Sequence, residues 1–310
     1  MNVETVLVSQ TKINSQIFPA KILLLGEYTI IKGSKGLAFP IHSYKASFSK
    51  AETIDDIQHS FRLDEFANYL TSSNILSTNM DLERLINDIK KGVFLNSNIP
   101  SGYGIGSSGA LCAAIYASYA YDFQRKESYT NEELNVLKDI MALMENFYHG
   151  TSSGLDCLIS LLNQPVLIEE RNKYQLIDKL NLDALGQFFL FDSGISRSTA
   201  GFVHSFLEKY ETDQDYKNAI DQHNQLIDHM TDNVLKSEED SFKANFKKLS
   251  AFQFEHYADM IPENVKSVWK EGLNSGDYFF KLCGAGGGGF FLVYTSNNHL
   301  SVDTSYIPIN

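Results

Sequence analysis

The segment that most constrains the fold of this chain is Pro100–Ala110, PSGYGIGSSGA. Its glycines alternate with other residues and lead into two adjacent serines. Glycine lets the backbone approach a ligand closely, and a serine hydroxyl can cap the helix that the next apolar run predicts. Exposed N–H groups and the helix dipole attract negative charge at such a junction, so the segment predicts a phosphate site. A serine-capped turn without a ligand is the alternative. The predicted lining residues are Gly102, Tyr103, Gly104, Gly106, Ser107 and Ser108.

Composition narrows the class of ligand and the setting of the protein. The formal net charge of -12 opposes nonspecific binding to nucleic acid or to anionic membranes. No stretch approaches the roughly 20 apolar residues of a membrane span, and Met1–Gln16 lacks a signal-peptide pattern. The three cysteines lie far apart in sequence, which suits reduced thiols. These features predict a soluble cytoplasmic protein that binds a small molecule.

Hydrophobic periodicity along the chain predicts an α+β fold. The runs AKILLL, TIIKG and GLAFPI are strand-like, whereas 131–150 and 199–268 have helical periodicity. A helix that stops at Gly150, followed by a new helix, places Glu145 and Asp156 on either side of a tight turn. The segment YFFKLCGAGGGGFFLVYT predicts strand, glycine loop and strand. With 310 residues the chain should form two domains, which we divide into 1–185 and 186–310.

Three motifs, in the expected order, resemble those of the superfamily of galactokinase, homoserine kinase, mevalonate kinase and phosphomevalonate kinase (GHMP). PSGYGIGSSGAL is similar to the motif P-x-x-x-G-L-G-S-S-A-A, with Ile105 for Leu and Gly109 for Ala. PAKILLLGEYTIIKG resembles P-x-K-[IVL]-x-L-x-G-E-H, and KLCGAGGGGFFL resembles K-x-[ST]-G-A-G-G-G-G. The resemblance implies a two-domain GHMP kinase fold with the active site in the cleft between the domains. It also places a second glycine loop beside the phosphates of ATP, through Gly284, Ala285 and Gly286.

A fourth segment, HGTSSGLD, resembles the H-G-x-P-S-G-x-D turn of mevalonate kinases, with Ser152 in place of Pro. The resemblance implies that Asp156 is the catalytic base toward the substrate hydroxyl and that Lys21 lies beside it. It further implies that Ser108 and Glu145 are Mg²⁺ ligands, with nucleotide phosphates and water completing an octahedron.

The same resemblance implies a substrate side of the site, formed by Glu27, Tyr28, Ser153 and Arg197. Tyr28 stands where mevalonate kinases commonly have His, and Gly-Glu-Tyr occurs in phosphomevalonate kinases. Arg197 suits two-point pairing with a carboxylate, and a solvated surface cation is the equal alternative.

These features lead us to expect a kinase that uses ATP and Mg²⁺ to phosphorylate the primary hydroxyl of mevalonate, a step of isoprenoid biosynthesis. Phosphomevalonate kinase is the alternative among enzymes, and a non-catalytic metabolite or nucleotide sensor is the alternative outside them. A substrate that already carries phosphate should need more cations than Lys21 and Arg197, which favours mevalonate. A sensor need not keep the catalytic base Asp156. Neither nucleic acid nor membrane is an expected partner, and a homodimer stays open.

Overall fold

The computed structural model describes residues 16–52, 54–196, 201–296 and 306–309, and for 54–62 it describes only the backbone. These residues form two antiparallel sheets. The first sheet contains β1 (Phe18–Leu25), β2 (Gly36–Lys50), β3 (Val93–Ser97), β4 (Val166–Glu170) and β5 (Lys173–Leu176). Its order is β1-β2-β4-β5, and β3 also pairs with β2. The second sheet has the order β7-β8-β6-β9 and contains β6 (Gln187–Asp192), β7 (Phe279–Leu282), β8 (Phe290–Thr295) and β9 (Tyr306–Pro308).

Helices pack against both sheets. Those between the strands of the first sheet are α1 (Ile54–Ser72), α2 (Asn74–Asn79), α3 (Leu82–Lys90), α4 (Ser107–Tyr119), α5 (Asn131–His149) and α6 (Leu155–Leu162). Those between β6 and β7 are α7 (Phe202–Thr212), α8 (Gln214–Lys236), α9 (Glu239–His256) and α10 (Glu263–Ser275). The mixed architecture confirms the predicted α+β class. Within the described ranges, no helix has both the length and the apolar character that a membrane crossing requires.

Local sequence explains the two helices that flank the predicted catalytic turn. A capping box of Thr130 and Glu133 starts α5, and Gly150 ends it with φ of 70°. Gly154, with φ of 74°, then starts α6. A Cβ at Gly154 would lie 2.1 Å from the carbonyl oxygen of Lys138, so only glycine lets α6 begin this close to α5. The predicted tight helix-helix turn is therefore confirmed.

The segment TIIKG is a correction to the predicted strands. Thr29–Lys32 forms a 3-10 helix that ends at Gly33, whose φ is 94°. The turn begins at Gly26, where φ is 109°, and the N–H of Ile30 donates to the Gly26 carbonyl. The chain therefore leaves β1 in a tight turn instead of continuing as a strand.

The main hydrophobic core extends across both sheets. It includes Ile22 of β1, Ala113 of α4 and Leu292 of β8, all at most 1% exposed. The small side chains of α4 let it lie close to both β1 and α6. The change from the first sheet to the second occurs between Leu176 and Gln187. The main core continues past residue 185 and so does not mark a boundary there. The division into domains 1–185 and 186–310 therefore stays a prediction.

Candidate active site

The glycine-rich segment forms a loop that ends at the N-terminus of α4. Gly102, Gly104 and Gly106 have φ of 80°, 83° and 82°, in the left-handed region that favours glycine. Gly106 is the N-cap, so the first N–H groups of α4 have no intrahelical acceptors. Ser107 and Ser108 form the first turn. The loop, which we call the phosphate loop, thus has the geometry of an anion site.

Strand β1 brings Lys21 beside this loop. Its backbone N–H donates to the Ile105 carbonyl at 2.9 Å, and its ammonium donates to the Gly104 carbonyl at 3.3 Å. The ammonium also lies 2.9 Å from a carboxylate oxygen of Asp156, in the first turn of α6. Lys21 is buried, whereas 38% of the Asp156 side chain is exposed. The two predicted catalytic residues are adjacent, and the carboxylate is the accessible member of the pair.

Helices α4 and α6 are in contact where Gly109 faces Asp156. A Cβ added to Gly109 would lie 2.9 Å from the Asp156 carbonyl carbon and 3.0 Å from the Cys157 nitrogen. An alanine, which the superfamily motif usually has here, would require one helix to move. Gly109 therefore allows the close approach that sets the position of Asp156.

Glu145 lies at the centre of a small polar cluster in the last turns of α5. It is buried, and one carboxylate oxygen accepts from the Ser108 hydroxyl at 2.8 Å. The other oxygen accepts from the Ser152 hydroxyl at 2.5 Å. The Nε2 atom of His149 lies 3.0 Å from the Ser108 oxygen. The predicted metal ligands Ser108 and Glu145 are thus in direct contact, and Ser152, which replaces the usual Pro, orients the carboxylate.

The Ser108 and Glu145 oxygens fit a Mg²⁺ site. They lie 2.8 Å apart, and adjacent ligands of octahedral Mg²⁺ with bonds of about 2.0–2.1 Å are about 2.9 Å apart. No group of three or more His, Cys, Asp or Glu side chains converges as a metal cage in the described part of the chain. Mg²⁺ that is held mainly by nucleotide phosphates needs only one or two protein ligands, so this donor set is sufficient.

The second glycine loop, residues 283–289, packs against the phosphate loop. A Cβ at Gly289 would lie 2.6 Å from the Tyr103 Cα, and the N–H of Phe290 donates to the Tyr103 carbonyl at 3.2 Å. Partial burial raises the pKa of Tyr103, and the nearby carboxylate of Asp192 in β6 raises it further. Both predicted glycine segments therefore belong to one wall of the site.

Glu27 and Tyr28, predicted on the substrate side, are both buried. One Glu27 oxygen pairs with the ammonium of Lys281, which is fully buried in β7. Burial raises the pKa of the Glu27 carboxyl, and Lys281 opposes that increase. The Tyr28 hydroxyl donates to the Ala285 carbonyl of the second glycine loop at 2.6 Å.

The two other predicted substrate residues differ in where they lie. Ser153 is exposed beside the catalytic turn, and its hydroxyl accepts from the Leu155 N–H at 3.3 Å. Arg197 lies outside the described residues. Lys281 and His149 were not predicted as site residues. Lys281 begins the motif KLCGAGGGGFFL and His149 begins HGTSSGLD, so their positions in these motifs could have indicated that they lie at the site.

A cleft of about 810 Å³ borders the phosphate loop. Its polar lining includes the loop, Ser108, His149 and Asp156. Its lining also contains the apolar side chains of Leu63, Phe94, Leu95, Leu111 and Phe147. A cleft that combines an anion-binding loop with apolar side chains suits a nucleotide.

Comparison with known proteins places this geometry in a family. Residues 73–164 match the family model described as GHMP kinases N terminal domain, which includes the phosphate loop and the catalytic turn. This chain carries a GHMP kinase N-terminal domain. The finding agrees with the superfamily resemblance of the sequence motifs.

Curated relatives extend the similarity over most of this chain. A mevalonate kinase of Archaeoglobus fulgidus is 24% identical over 87% of this chain and 88% of its own. A mevalonate kinase of Thermococcus sibiricus is 25% identical over 93% and 90%. A mevalonate kinase of Dictyostelium discoideum is 24% identical over 63% of this chain, and that alignment spans 55% of the relative's length.

Solved structures show that the GHMP kinase fold covers nearly the whole chain. L. major mevalonate kinase, in complex with R-mevalonate, has a TM-score of 0.62 at 17% identity and covers 92% of this chain and 88% of its own. Lactococcus lactis galactokinase, complexed with galactose, has a TM-score of 0.61 at 13% identity over 92% and 86%. Streptococcus pneumoniae phosphomevalonate kinase, with phosphomevalonate and AMPPNP, has a TM-score of 0.58 at 12% identity over 92% of both chains. Because these kinases act on different acceptors, the structural likeness supports the fold alone.

Proposed function

We propose that this chain is an ATP-dependent kinase that phosphorylates the primary hydroxyl of mevalonate to give 5-phosphomevalonate. The observation that carries the proposal is the 2.9 Å contact between Lys21 and Asp156 at the phosphate loop. A carboxylate is thereby held next to a site for nucleotide phosphates. The curated relatives, each named mevalonate kinase, support mevalonate as the acceptor.

The proposal gives each residue of the pair a task. The mevalonate hydroxyl oxygen attacks the γ-phosphorus of ATP, the bond to the bridging oxygen breaks, and ADP leaves. The hydroxyl proton passes to the carboxylate of Asp156, which is the accessible member of the pair. Lys21 balances the charge of Asp156 and that of the attacking oxygen.

The cofactor sites follow from the donor groups of the loop and of α5. The N–H groups of the phosphate loop and of the first turn of α4 bind the phosphates, together with the second glycine loop. Ser108 and Glu145 would hold Mg²⁺, which when bound neutralises phosphate charge. Cytoplasmic location and a homodimer stay predictions.

Phosphomevalonate kinase is the second candidate, and its support came from Tyr28. In the structure the Tyr28 hydroxyl donates a hydrogen bond to the Ala285 carbonyl. This contact accounts for a tyrosine at position 28 without a phosphorylated acceptor. A phosphorylated acceptor would also need cations in the pocket. Lys21 is already paired with Asp156, and Lys281 is fully buried with Glu27. Mevalonate is therefore the preferred acceptor.

The test is turnover of purified protein with mevalonate, phosphomevalonate, homoserine and galactose, repeated with Asp156→Asn. We expect mevalonate to be the best acceptor. Asp156→Asn should lower kcat by ~10²–10⁴, because the variant keeps the shape of the side chain but loses the base. Binding of a nonhydrolysable ATP analogue should change little.

The matched control is Asp215→Asn, since Asp215 also lies in the first turn of a helix, α8, and is exposed. Its activity should equal that of the wild type. Near-wild-type turnover by Asp156→Asn would show that Asp156 serves its helix dipole and is not the base.

A further inference from the structure

The second glycine loop is attached to the turn after β1 by two adjacent residues. Glu27 pairs with Lys281, which lies in β7 just before the loop, and Tyr28 donates to the carbonyl of Ala285 within the loop. About 250 residues separate each pair along the chain. The turn is therefore bound at two points, once to the loop and once to the strand that leads into it.

The Lys281 ammonium is fully committed to this attachment. Besides the Glu27 carboxylate, it donates to the Leu23 carbonyl at 3.1 Å and to the Leu282 carbonyl at 2.6 Å. An ammonium has three donors, and here each has an acceptor. Because the side chain is also 0% exposed, Lys281 has no donor left for a ligand.

Tyr28 is equally fixed. Its ring packs against both Phe206 and Tyr257, with centroid distances of 5.1 and 5.2 Å, in a cluster of three aromatic rings. Its φ of 63° is uncommon for a residue other than glycine. In this backbone conformation the Tyr28 hydroxyl donates to the Ala285 carbonyl at 2.6 Å. An imidazole is shorter than a phenol, so the histidine that is common at this position would not reach the same carbonyl.

The C-terminal end of the loop contacts the phosphate loop and the segment directly after β6. The Gly289 N–H donates to the Ile195 carbonyl at 2.7 Å, and its carbonyl accepts from the Ser193 hydroxyl at 2.7 Å. Gly289 is also close-packed against Tyr103. The loop thus contacts Tyr28 through Ala285 and Tyr103 through Gly289.

We propose that Glu27, Tyr28 and Lys281 form a positioning unit that holds the second glycine loop in place for the nucleotide. Under this proposal Tyr28 acts through Ala285 and does not select the phosphoryl acceptor. The departure from the family histidine then changes how the loop is supported, not which alcohol is phosphorylated. The inference rests on the proposed kinase function for its catalytic readout only.

The experiment compares Tyr28→Phe with the wild type, because this change removes the hydroxyl and leaves the ring in its aromatic cluster. Affinity for a nonhydrolysable ATP analogue and the KM for ATP should weaken by about fivefold, the equivalent of one ordinary hydrogen bond. The KM for mevalonate should stay within about twofold of the wild-type value, since its contacts are unchanged.

Tyr294→Phe is the matched control. The Tyr294 hydroxyl is also buried and donates to a carbonyl, that of Leu185, at 2.7 Å, but this contact is at the other end of β8. Tyr294→Phe should leave ATP-analogue affinity unchanged. An equal loss of ATP-analogue affinity in both variants would mean that the effect is general destabilisation. That result would overturn the proposal of a positioning unit.

A higher KM for mevalonate in Tyr28→Phe, with unchanged nucleotide affinity, would also overturn the proposal and make Tyr28 a substrate contact. If the wild type does not turn over mevalonate, the proposed acceptor is wrong. The analogue-binding measurement would then still decide the role of Tyr28, because it requires no turnover.

Discussion

Gly109 lies at the contact between α4, which follows the phosphate loop, and Asp156, the proposed catalytic base. We predict that Gly109→Ala lowers kcat by roughly tenfold, because a misplacement of about 1 Å can cost 10²-fold and the required movement is smaller. The added Cβ would lie 2.9 Å from the Asp156 carbonyl carbon, so α6 must shift. The measurement is kcat at saturating ATP and mevalonate.

Thermal unfolding separates this effect from a loss of stability. Alanine favours a helix by about 1 kcal/mol over glycine, which offsets part of the strain of the new contact. The melting temperature of Gly109→Ala should therefore change by only a few degrees while kcat falls. A wild-type kcat in this variant would show that the added methyl group fits between α4 and α6 without displacing Asp156.

The proposed metal site depends on two helices that meet at their ends. The N-terminus of α4 supplies Ser108, and the last turns of α5 supply Glu145. We predict that Ser108→Ala and Glu145→Gln each raise the Mg²⁺ concentration for half-maximal activity by at least about tenfold, since each removes an oxygen ligand. Mg²⁺ titration of the initial rate at saturating ATP measures this shift.

Ser160→Ala is the control for these variants. Ser160 is a buried serine of α6, and its hydroxyl has no hydrogen-bond partner among the described residues. Its loss should leave the Mg²⁺ requirement unchanged. Equal Mg²⁺ curves for wild type, Ser108→Ala and Glu145→Gln would remove both residues from the metal site.

A buried ion pair, Glu27 with Lys281, joins the turn after β1 to strand β7 of the second sheet. Burial raises the pKa of the Glu27 carboxyl above its ordinary value of 4.5, and Lys281 and Lys21 lower it. Tyr257 also lies near this carboxyl, and the Glu27 charge raises the pKa of Tyr257, after burial and Tyr216. Removing Lys281 would raise the pKa of Glu27 further, because the largest opposing charge is lost.

This linkage gives a signed prediction for Lys281→Met. The unfolded pKa of the Glu27 carboxyl is near 4.5, and folding raises it. Below pH 4.5 the contribution of this carboxyl to the free energy of unfolding is fully present. As the pH rises through the folded pKa, that contribution is lost. The melting temperature of Lys281→Met, relative to the wild type, should therefore fall between pH 5 and pH 8. At pH 8 the deficit should be roughly 10 °C, as expected for an unpaired buried charge.

Two comparison variants make the test specific. Adding Glu27→Gln to Lys281→Met should abolish the pH dependence of the deficit, because no carboxyl remains to ionise. Lys32→Met breaks an ion pair with Glu211, whose side chain is 65% exposed, and should change the melting temperature little at any pH. A pH-independent deficit in Lys281→Met would contradict the assigned charge of Glu27.

Local features of the chain were predictable where each depends on neighbouring residues. The phosphate loop needs glycine at positive φ and a helix directly after it, and both signals are contiguous in sequence. The helices around Gly150 and the strands around the second glycine loop were predicted for the same reason. The strand prediction failed at Thr29–Lys32, where an apolar pattern does not reveal the turn made by Gly26, and β5 was not predicted.

The sequence by itself thus determined the fold class and the two glycine loops, because local backbone preference carries that information, and the catalytic residues were predicted from the resemblance of its motifs to those of the GHMP superfamily. Only the tertiary structure decided that Glu27 and Tyr28 face Lys281 and Ala285, and that Gly109 lies against Asp156. These contacts join segments up to 257 residues apart, and they arise from how two sheets and two helices pack. Side-chain partners across such separations follow from packing of the whole core, which no local pattern specifies.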